Sequence, residues 1–510
     1  MLALFRCDAS ISIGSGHFHR CLTLAKQLQQ YQVETLFVIR ESTPATYQSL
    51  LAQNHQAFLT IATTEQDSEQ TDLCLTRDAF FNWARANKVA AHCDWLVVDH
   101  YELSSSWHKG AYVLAKQVMV IDDLADRPLN CDLLLNQNVN ATPRQYQPYV
   151  REDCACLLGT SYALLRPEFQ QLREQVLPRR KQPLPQKPQL LISMGGADEY
   201  RFTEQLIRAL IENKLSADFN MRIVISSAYP SIAELKQILD NISNAELIID
   251  CKGMGQLMAD SDIAIGAAGT TSWERCCLGL PTLLFTMADN QVAIAERLSE
   301  KSLANYLGDL RTLSTSELSS LLSSALSNVD QLQQLGLDSA DYIDGKGVSR
   351  VVNKMLALSP ESFCFKAIEM ADADLLFEWQ SAPETRKYAR SQVAPKYDDH
   401  LRWLSKQLAD THQYLFLMMS SQEAVGYLRL APIETPQSGF EISIYTAPGH
   451  YGKGYAINAL TLVEMGFPDL SLLAYISEHN VASQKLFRRA GYQPIDNVPG
   501  WYKREKETDE

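Results

Sequence analysis

The chain has 510 residues, room for about three domains at roughly 150 residues each, and its 46% apolar and 21% charged composition excludes a disordered chain, a collagen and a disulfide scaffold. Lys plus Arg is 46 against 60 Asp plus Glu, a formal net charge of −14. That balance disfavours a nucleic-acid partner, which needs a local excess of cations, but not a small anionic substrate held by a few donors at helix starts.

Residues 1–8, with the first Arg after a short apolar stretch, read as a buried strand rather than a signal peptide. No run approaches the roughly 18–20 apolar residues of a membrane span, so no membrane span is expected. The 11 cysteines include no CxxC pair and fit buried thiols in a reducing cytoplasm, the expected location. Brief apolar runs at 2–5, 36–39, 95–98, 118–121 and 133–135 alternate with longer amphipathic segments. Cys21, Leu24, Ala25 and Leu28 fall on one helix face. Apolar strands alternating with helices imply a parallel sheet covered on both faces. Residues 178–188, proline-rich and basic, bury little and cannot continue a helix, so they are expected to be a linker. The alternation then restarts, with strands at 190–193, 221–225, 247–249, 263–265 and 282–285 and a helix face at Phe202, Leu206, Ala209 and Leu210. Two doubly wound domains, 1–177 and 189–355, are expected to face a cleft. A third domain, 361–510, has a different pattern: hairpin strands at 425–430 and 440–445, a glycine-rich loop, a helix, a strand and a last helix.

Several of the connecting loops carry chemistry. Gly14 and Gly16 precede His17 at the start of the first helix and let the backbone approach a ligand. The helix dipole disfavours imidazolium there, so His17 is either a neutral general base for water or a capping, packed histidine. Arg20 beside it pairs with a phosphate or with Asp8. In the second domain, Ser193-Met-Gly-Gly-Ala-Asp198 and Gly266-Ala-Ala-Gly-Thr-Thr-Ser-Trp-Glu274 each join a strand to a helix. They are either anion cradles for a nucleoside diphosphate or ordinary tight turns. Glu274, one turn into its helix, is placed to accept from two ribose hydroxyls. Neither loop has the GxxxxGK[ST] pattern, which disfavours ATP hydrolysis.

Taken together, Arg6-Cys-Asp8, Gly14-Ser-Gly-His17-Phe-His-Arg20, Val98-Asp-His-Tyr101, Asp122-Asp123-Leu-Ala, Tyr162-Ala-Leu-Leu-Arg-Pro-Glu-Phe169, Met194-Gly-Gly-Ala-Asp198, Gly269-Thr-Thr-Ser-Trp-Glu274 and Asp289-Asn-Gln291 resemble the UDP-sugar hydrolases of pseudaminic acid biosynthesis. Those hydrolases are relatives of the MurG-type glycosyltransferases. The resemblance implies a GT-B-like pair of doubly wound α/β domains. It makes His17 the catalytic residue that activates water at the anomeric carbon. It puts the UDP-sugar near Gly14, Gly16, Arg20, Gly195, Gly196, Gly269, Thr270, Glu274 and Asn290. No metal is implied.

The third domain carries Gly449-His-Tyr-Gly-Lys-Gly454-Tyr455 after an alternating strand. His479-Asn480 and a helix through Phe487 to Gly491 follow. In this order they resemble the GNAT acetyltransferases, an α+β fold. The resemblance implies acetyl-CoA as co-substrate, held by Gly449, Gly452, Lys453, Gly454, Tyr455 and Asn480. Two positions depart from that pattern. Gly449 stands where Gln or Arg is usual, and Phe487 replaces the tyrosine that often protonates the leaving thiolate. Tyr445, Tyr451, Tyr455 and Tyr475 are either candidate substitutes for it or packing residues.

The fusion implies consecutive steps on one UDP-linked amino-sugar, with acetyl transfer to its 4-amino group followed by hydrolysis with water. The alternatives are a glycosyltransferase with an accessory acetyltransferase, a noncatalytic nucleotide-sugar sensor, and a GNAT acting on a protein amine.

Overall fold

The computed structural model describes residues 1–8, 16–40, 57–62, 68–89, 91–195, 198–358, 363–410 and 412–504, without the side chains of residues 57, 58, 290 and 329. In the first unit seven described strands form one parallel sheet. They are β1 (Leu2–Cys7), β2 (Glu34–Arg40), β3 (Ala57–Ile61), β4 (Cys93–Asp99), β5 (Ala115–Ile121), β6 (Leu133–Asn136) and β7 (Ala155–Leu158), in the order β3-β2-β1-β4-β5-β6-β7. The second unit repeats the plan with β8 (Gln189–Ser193), β9 (Asn220–Ile225), β10 (Ala245–Ile249), β11 (Ile263–Ala267), β12 (Thr282–Thr286) and β13 (Asn305–Asp309), in the order β10-β9-β8-β11-β12-β13. Each sheet grows outward from its first strand in one direction and then in the other. The reversal lies between β1 and β4, and between β8 and β11. Ligands of open α/β sheets bind at that crevice, outside the carboxyl ends of the strands.

The helices that position the site follow from this winding. Helix α1 (Gly16–Gln29) leaves β1, and α2 (Glu69–Asn87) and α3 (Ser105–Gly110) flank β4. Helix α4 (Pro167–Arg180) corrects the expected linker. It continues through Pro178, and Arg180 is buried with its guanidinium donating to the carbonyls of Met258, Ser261 and Leu278. A proline near a helix end removes only one hydrogen bond, and the three Arg180 contacts anchor the turn that follows it, so the helix ends at Arg180 and the connecting segment starts after it.

The chain also crosses between units before the predicted boundary. Phe169 and Val176 of α4 pack with Leu278 and Leu280 of the second unit. Helix α5 (Phe202–Glu212) follows β8, and α6 (Thr270–Cys277) follows β11. The last helix of this part, α7 (Gly347–Ala357), returns to the first unit, where Val348, Val351, Val352 and Met355 pack with Phe5, Phe18 and Leu24. Packing thus assigns α4 to the second unit and α7 to the first.

The third unit is an antiparallel sheet with one parallel pair. Its strands are β14 (Cys364–Ala367), β15 (Tyr414–Ser420), β16 (Glu423–Ile433), β17 (Gly439–Thr446), β18 (Leu472–Tyr475), β19 (Tyr492–Pro494) and β20 (Trp501–Arg504), in the order β14-β15-β16-β17-β18-β20-β19. β17 and β18 pair only at Phe440↔Leu472 and Glu441↔Leu473 and then splay apart. Helices α8 (Tyr455–Gly466) and α9 (Val481–Arg489) complete the unit. All 11 cysteines are free thiols. Among the described residues no helix is long and apolar enough to cross a membrane, and no group of three His, Cys, Asp or Glu residues is placed to hold a metal.

Candidate active sites

His17 opens α1 at the carboxyl end of β1, and Asp99 ends the neighbouring β4. Pairing of β1 with β4 brings these residues together across 82 positions of sequence, with Nδ1 of His17 2.5 Å from Oδ1 of Asp99. Both are buried. Nδ1–H donates to the carboxylate, which leaves the lone pair on Nε2. Arg20, one turn along α1, clamps the same carboxylate through Nε (2.6 Å) and Nη2 (2.7 Å), and reaches Asp123 through Nη1 at 2.7 Å. Burial acts to raise the Asp99 pKa, but Arg20 and His17 outweigh it and hold the carboxyl well below the usual carboxylate range. Tyr101 stands edge-on to the His17 ring at 4.5 Å and donates to Asp123 at 3.2 Å.

These contacts change two sequence expectations. Arg20 is bonded through its three nitrogens to Asp99 and Asp123 and not to Asp8. Asp8 instead accepts from Arg6, from the Arg40 backbone N–H and from His100 Nε2. The helix start is not the only influence on His17, because Asp99 fixes its tautomer. His100, in the same motif, has Nδ1 occupied by the Glu102 N–H and Nε2 by Asp8, so both ring nitrogens are held in place. Asp99 and Asp123 fall inside the sequence motifs, where nothing local marks them as site residues. The signal for Asp99 was its position, an acid at the carboxyl end of an apolar strand beside the winding reversal.

The second unit presents its own helix start to the first. A methyl group replacing the Gly16 hydrogen would stand 3.5 Å from Cγ2 of Thr270, so the beginnings of α1 and α6 face each other. Gly269 has no side chain with which to cap α6, its own N–H donates to Ser272 Oγ at 3.3 Å, and the space beside it is open to 4 Å. Beneath this loop the guanidinium of Arg275 donates to Ala267 O and Ser272 Oγ. It is buried and has no carboxylate in salt-bridge range among the described residues. Burial lowers its pKa to about 10, a value that keeps the group cationic at neutral pH. A helix start over a buried cation suits a diphosphate. Sequence reasoning missed Arg275, which reads as one more helical basic residue. Burial pushes the Glu274 carboxyl up, opposed by Arg166, whose Nη2 lies 3.5 Å away.

The other loop differs from expectation. Gly195 has φ +77° with open space beside it, so a glycine is required there. The N–H groups of Phe202 and Thr203 at the start of α5, however, already donate to the Asp198 carboxylate, so this helix start has its own anion. Gly14 and Gly196 lie outside the described residues, as does the side chain of Asn290 at the start of the helix Asp289–Glu300.

In the third unit the splay between β17 and β18 opens a cavity of about 1150 Å³. Gly452 and Gly454 line it and Gly449 lies just before its lining residue His450; their φ are +74°, +85° and +83°, and no atom comes within 4 Å of a Cβ built on any of the three. Three left-handed residues with open faces make a backbone cradle running into the start of α8, which no side chain caps. This shape fits the pyrophosphate of acetyl-CoA. Lys453 is exposed at the rim. Tyr455 is half-buried with its ring stacked on Phe363, so its backbone rather than its phenol faces the cradle. Asn480 lines the cavity and caps α9, its Oδ1 accepting from Ser483 N at 3.1 Å while Nδ2 remains a donor.

Phe487 is buried edge-on to Tyr492 and lines the same cavity. Of the substitute tyrosines, Tyr451 and Tyr475 are exposed. The Tyr445 hydroxyl is buried in the wall without a hydrogen-bond partner among the described residues; Gln380 faces it outside hydrogen-bond geometry. Burial raises its pKa well above the usual phenol value, so it stays protonated. Sequence reasoning also missed Glu441, which sits at the last paired position before the splay and is bound by Arg390 at 2.8 Å.

Residues 363–493 match the family described as Acetyltransferase (GNAT) domain, and the third unit is such a domain. An uncharacterized protein of Methanocaldococcus jannaschii is 22% identical over 501 residues, 95% of each chain. The UDP-2,4-diacetamido-2,4,6-trideoxy-beta-L-altropyranose hydrolase of Campylobacter jejuni is 26% identical over 304 residues, 59% of this chain and 97% of that protein. Acetyltransferase PseH of Campylobacter jejuni is 22% identical over 141 residues, 27% of this chain and 87% of that protein.

Proposed function

We propose that this chain performs two consecutive steps on one nucleotide-linked sugar. The GNAT unit acetylates the 4-amino group of a UDP-linked amino-sugar, with acetyl-CoA as donor. The paired α/β units then hydrolyse the product, UDP-2,4-diacetamido-2,4,6-trideoxy-β-L-altropyranose, to the free sugar and UDP. The observation that carries the hydrolytic half is the His17–Asp99 pair at a helix start that faces the start of α6.

In this reading the UDP diphosphate lies against Gly269 and Thr270, over Arg275, with Gly195 giving close backbone approach and Glu274 accepting from the ribose. Nε2 of His17 takes a proton from water. The water oxygen bonds to C1, the bond from C1 to the phosphate oxygen breaks, and UDP leaves with that electron pair. Asp99 stabilises the imidazolium that forms. The departing charge is met by the α6 start and the Arg275 guanidinium. In the GNAT unit the glycine cradle and the Asn480 amide hold acetyl-CoA, and the splay of β17 from β18 leaves backbone groups for the thioester.

Incubation with acetyl-CoA and the UDP-linked 4-amino-sugar in H₂¹⁸O tests both halves by mass. The expected products are CoA, UDP without label, and a diacetylated sugar carrying one ¹⁸O. Label in UDP would contradict attack at C1, and hydrolysis before acetylation would contradict the order.

A further inference from the structure

The face between the first α/β unit and the acetyltransferase is packed like an interior. Helices α3 and α8 cross at two glycines. A Cβ on Gly110 would stand 2.7 Å from the carbonyl oxygen of Met465 and would also strike Leu73; one on Gly466 would stand 3.0 Å from the Gly110 carbonyl and strike Val113. Arg77 of α2 is 1% exposed; its Nε donates to the neighbouring Asp78 at 2.9 Å, and its other partners come from the other unit: Gly466 O at 3.0 Å and both oxygens of Asp469 at 2.8 and 2.9 Å. The same guanidinium lies 4.7 Å from the Phe467 ring centroid. Phe81 packs against Tyr414 and Phe467. One contiguous apolar core runs from Leu4 and Val98 through Trp107 and Val113 to Val463 and Phe416.

We propose that the acetyltransferase and the first α/β unit are one folding body rather than two modules on a tether. Three physical points support this. Separation would open the packing of Phe81, Tyr414, Val113, Val463 and Phe467, which belong to one core, and contiguous apolar surface of this kind is costly to leave in water. Backbones that approach at paired glycines pack without voids and tolerate no side chain. Helix α8 joins the two ends of the system, since it begins at Gly454 in the cradle and ends at Gly466 in the junction. Ligand bound at its start therefore stabilises whatever unfolds together with its end.

The test inserts a protease site between residues 358 and 363 of the full chain. After cleavage the two pieces are expected to co-elute in gel filtration at micromolar concentration and to keep acetyl transfer; pieces that separate would overturn the proposal. Gly466→Leu should make the cleaved pieces come apart, and continued co-elution of that variant would contradict the assigned junction. A second arm uses uncut wild type and needs no variant to fold. At a hundred times its dissociation constant, acetyl-CoA should slow hydrogen exchange by up to about a hundredfold, in 72–84 and 105–113 as well as in 455–466. Slowing confined to 455–466 would overturn the proposal. This arm rests on the reading of Gly449, Gly452 and Gly454 as the acetyl-CoA cradle, and no slowing anywhere would count against that reading; the cleavage arm is independent of it.

Discussion

The His17 site and the Gly452 cavity organise chemistry in opposite ways. Around His17 the work falls to side chains. An imidazole, two carboxylates and a guanidinium are locked by hydrogen bonds of 2.5–2.7 Å at the point where the sheet winding reverses. In the GNAT unit it falls to the backbone, through three left-handed glycines and a pair of strands that part after two residues. The lesson is that equivalent damage takes different forms. Removing an atom from a side chain should disable the first site, whereas adding atoms to the main chain's open face should disable the second.

His17→Ala should have the largest effect. UDP release is expected to fall about 10²- to 10⁴-fold, the usual range for losing a general base, with acetyl transfer unchanged. Equal loss of both activities in steady-state assays would erase the contrast. Asp99→Asn should approach the same loss with little change in KM. The amide leaves Arg20 with Asp123 as its remaining carboxylate and lets the His17 proton move to Nε2, the wrong nitrogen. An Asp99→Asn enzyme with wild-type kcat would show that the dyad is structural.

The second site should give the reverse signature at a smaller scale. Gly452→Val and Gly454→Val each force a branched side chain into left-handed backbone, at roughly 1–2 kcal/mol apiece. Acetyl-CoA affinity, read by calorimetry, should drop about tenfold or more while UDP release stays intact. Unchanged affinity would rule out the cradle.

The smallest expected effect concerns stability and depends on pH. His92 and His108 are buried, and burial lowers each to about 3 from the ordinary 6.5. The unfolded chain binds protons on these rings below pH 6.5 while the folded one does not. Stability is therefore full above pH 6.5 and declines toward pH 3, by up to about 1.4 kcal/mol per pH unit for each ring. Denaturant titrations at pH 7.5, 6 and 5 should show this slope, and His92→Leu should flatten it. An unchanged slope in that variant would assign the acid sensitivity elsewhere.

How much of this was legible in the sequence follows the same division. The central strands, such as 95–98 and 263–265, announce themselves because both their faces are covered. In the two α/β units the strands that periodicity missed, β3, β7 and β13, are all at sheet edges. There partial solvation dilutes the apolar signal, as in the half-buried Asn-Tyr-Leu-Gly-Asp of β13. The glycine cradles were readable because left-handed backbone demands a local residue type. Asp99 and Arg275 were not, since their meaning comes from neighbours in space. One reaches His17 across the sheet, and the other turns back beneath its own loop. Pro178 misled for a related reason, because carbonyls some 80 and 100 positions further along the chain hold the last turn of α4 closed.

The most direct test of the central claim, that His17 draws a proton from water while Asp99 fixes its ring, is chemical rescue of His17→Ala. UDP release should be nearly absent in this enzyme and should return, in part, on addition of imidazole, in proportion to its unprotonated fraction, with acetyl transfer constant throughout. Full UDP release by His17→Ala without imidazole would contradict the account.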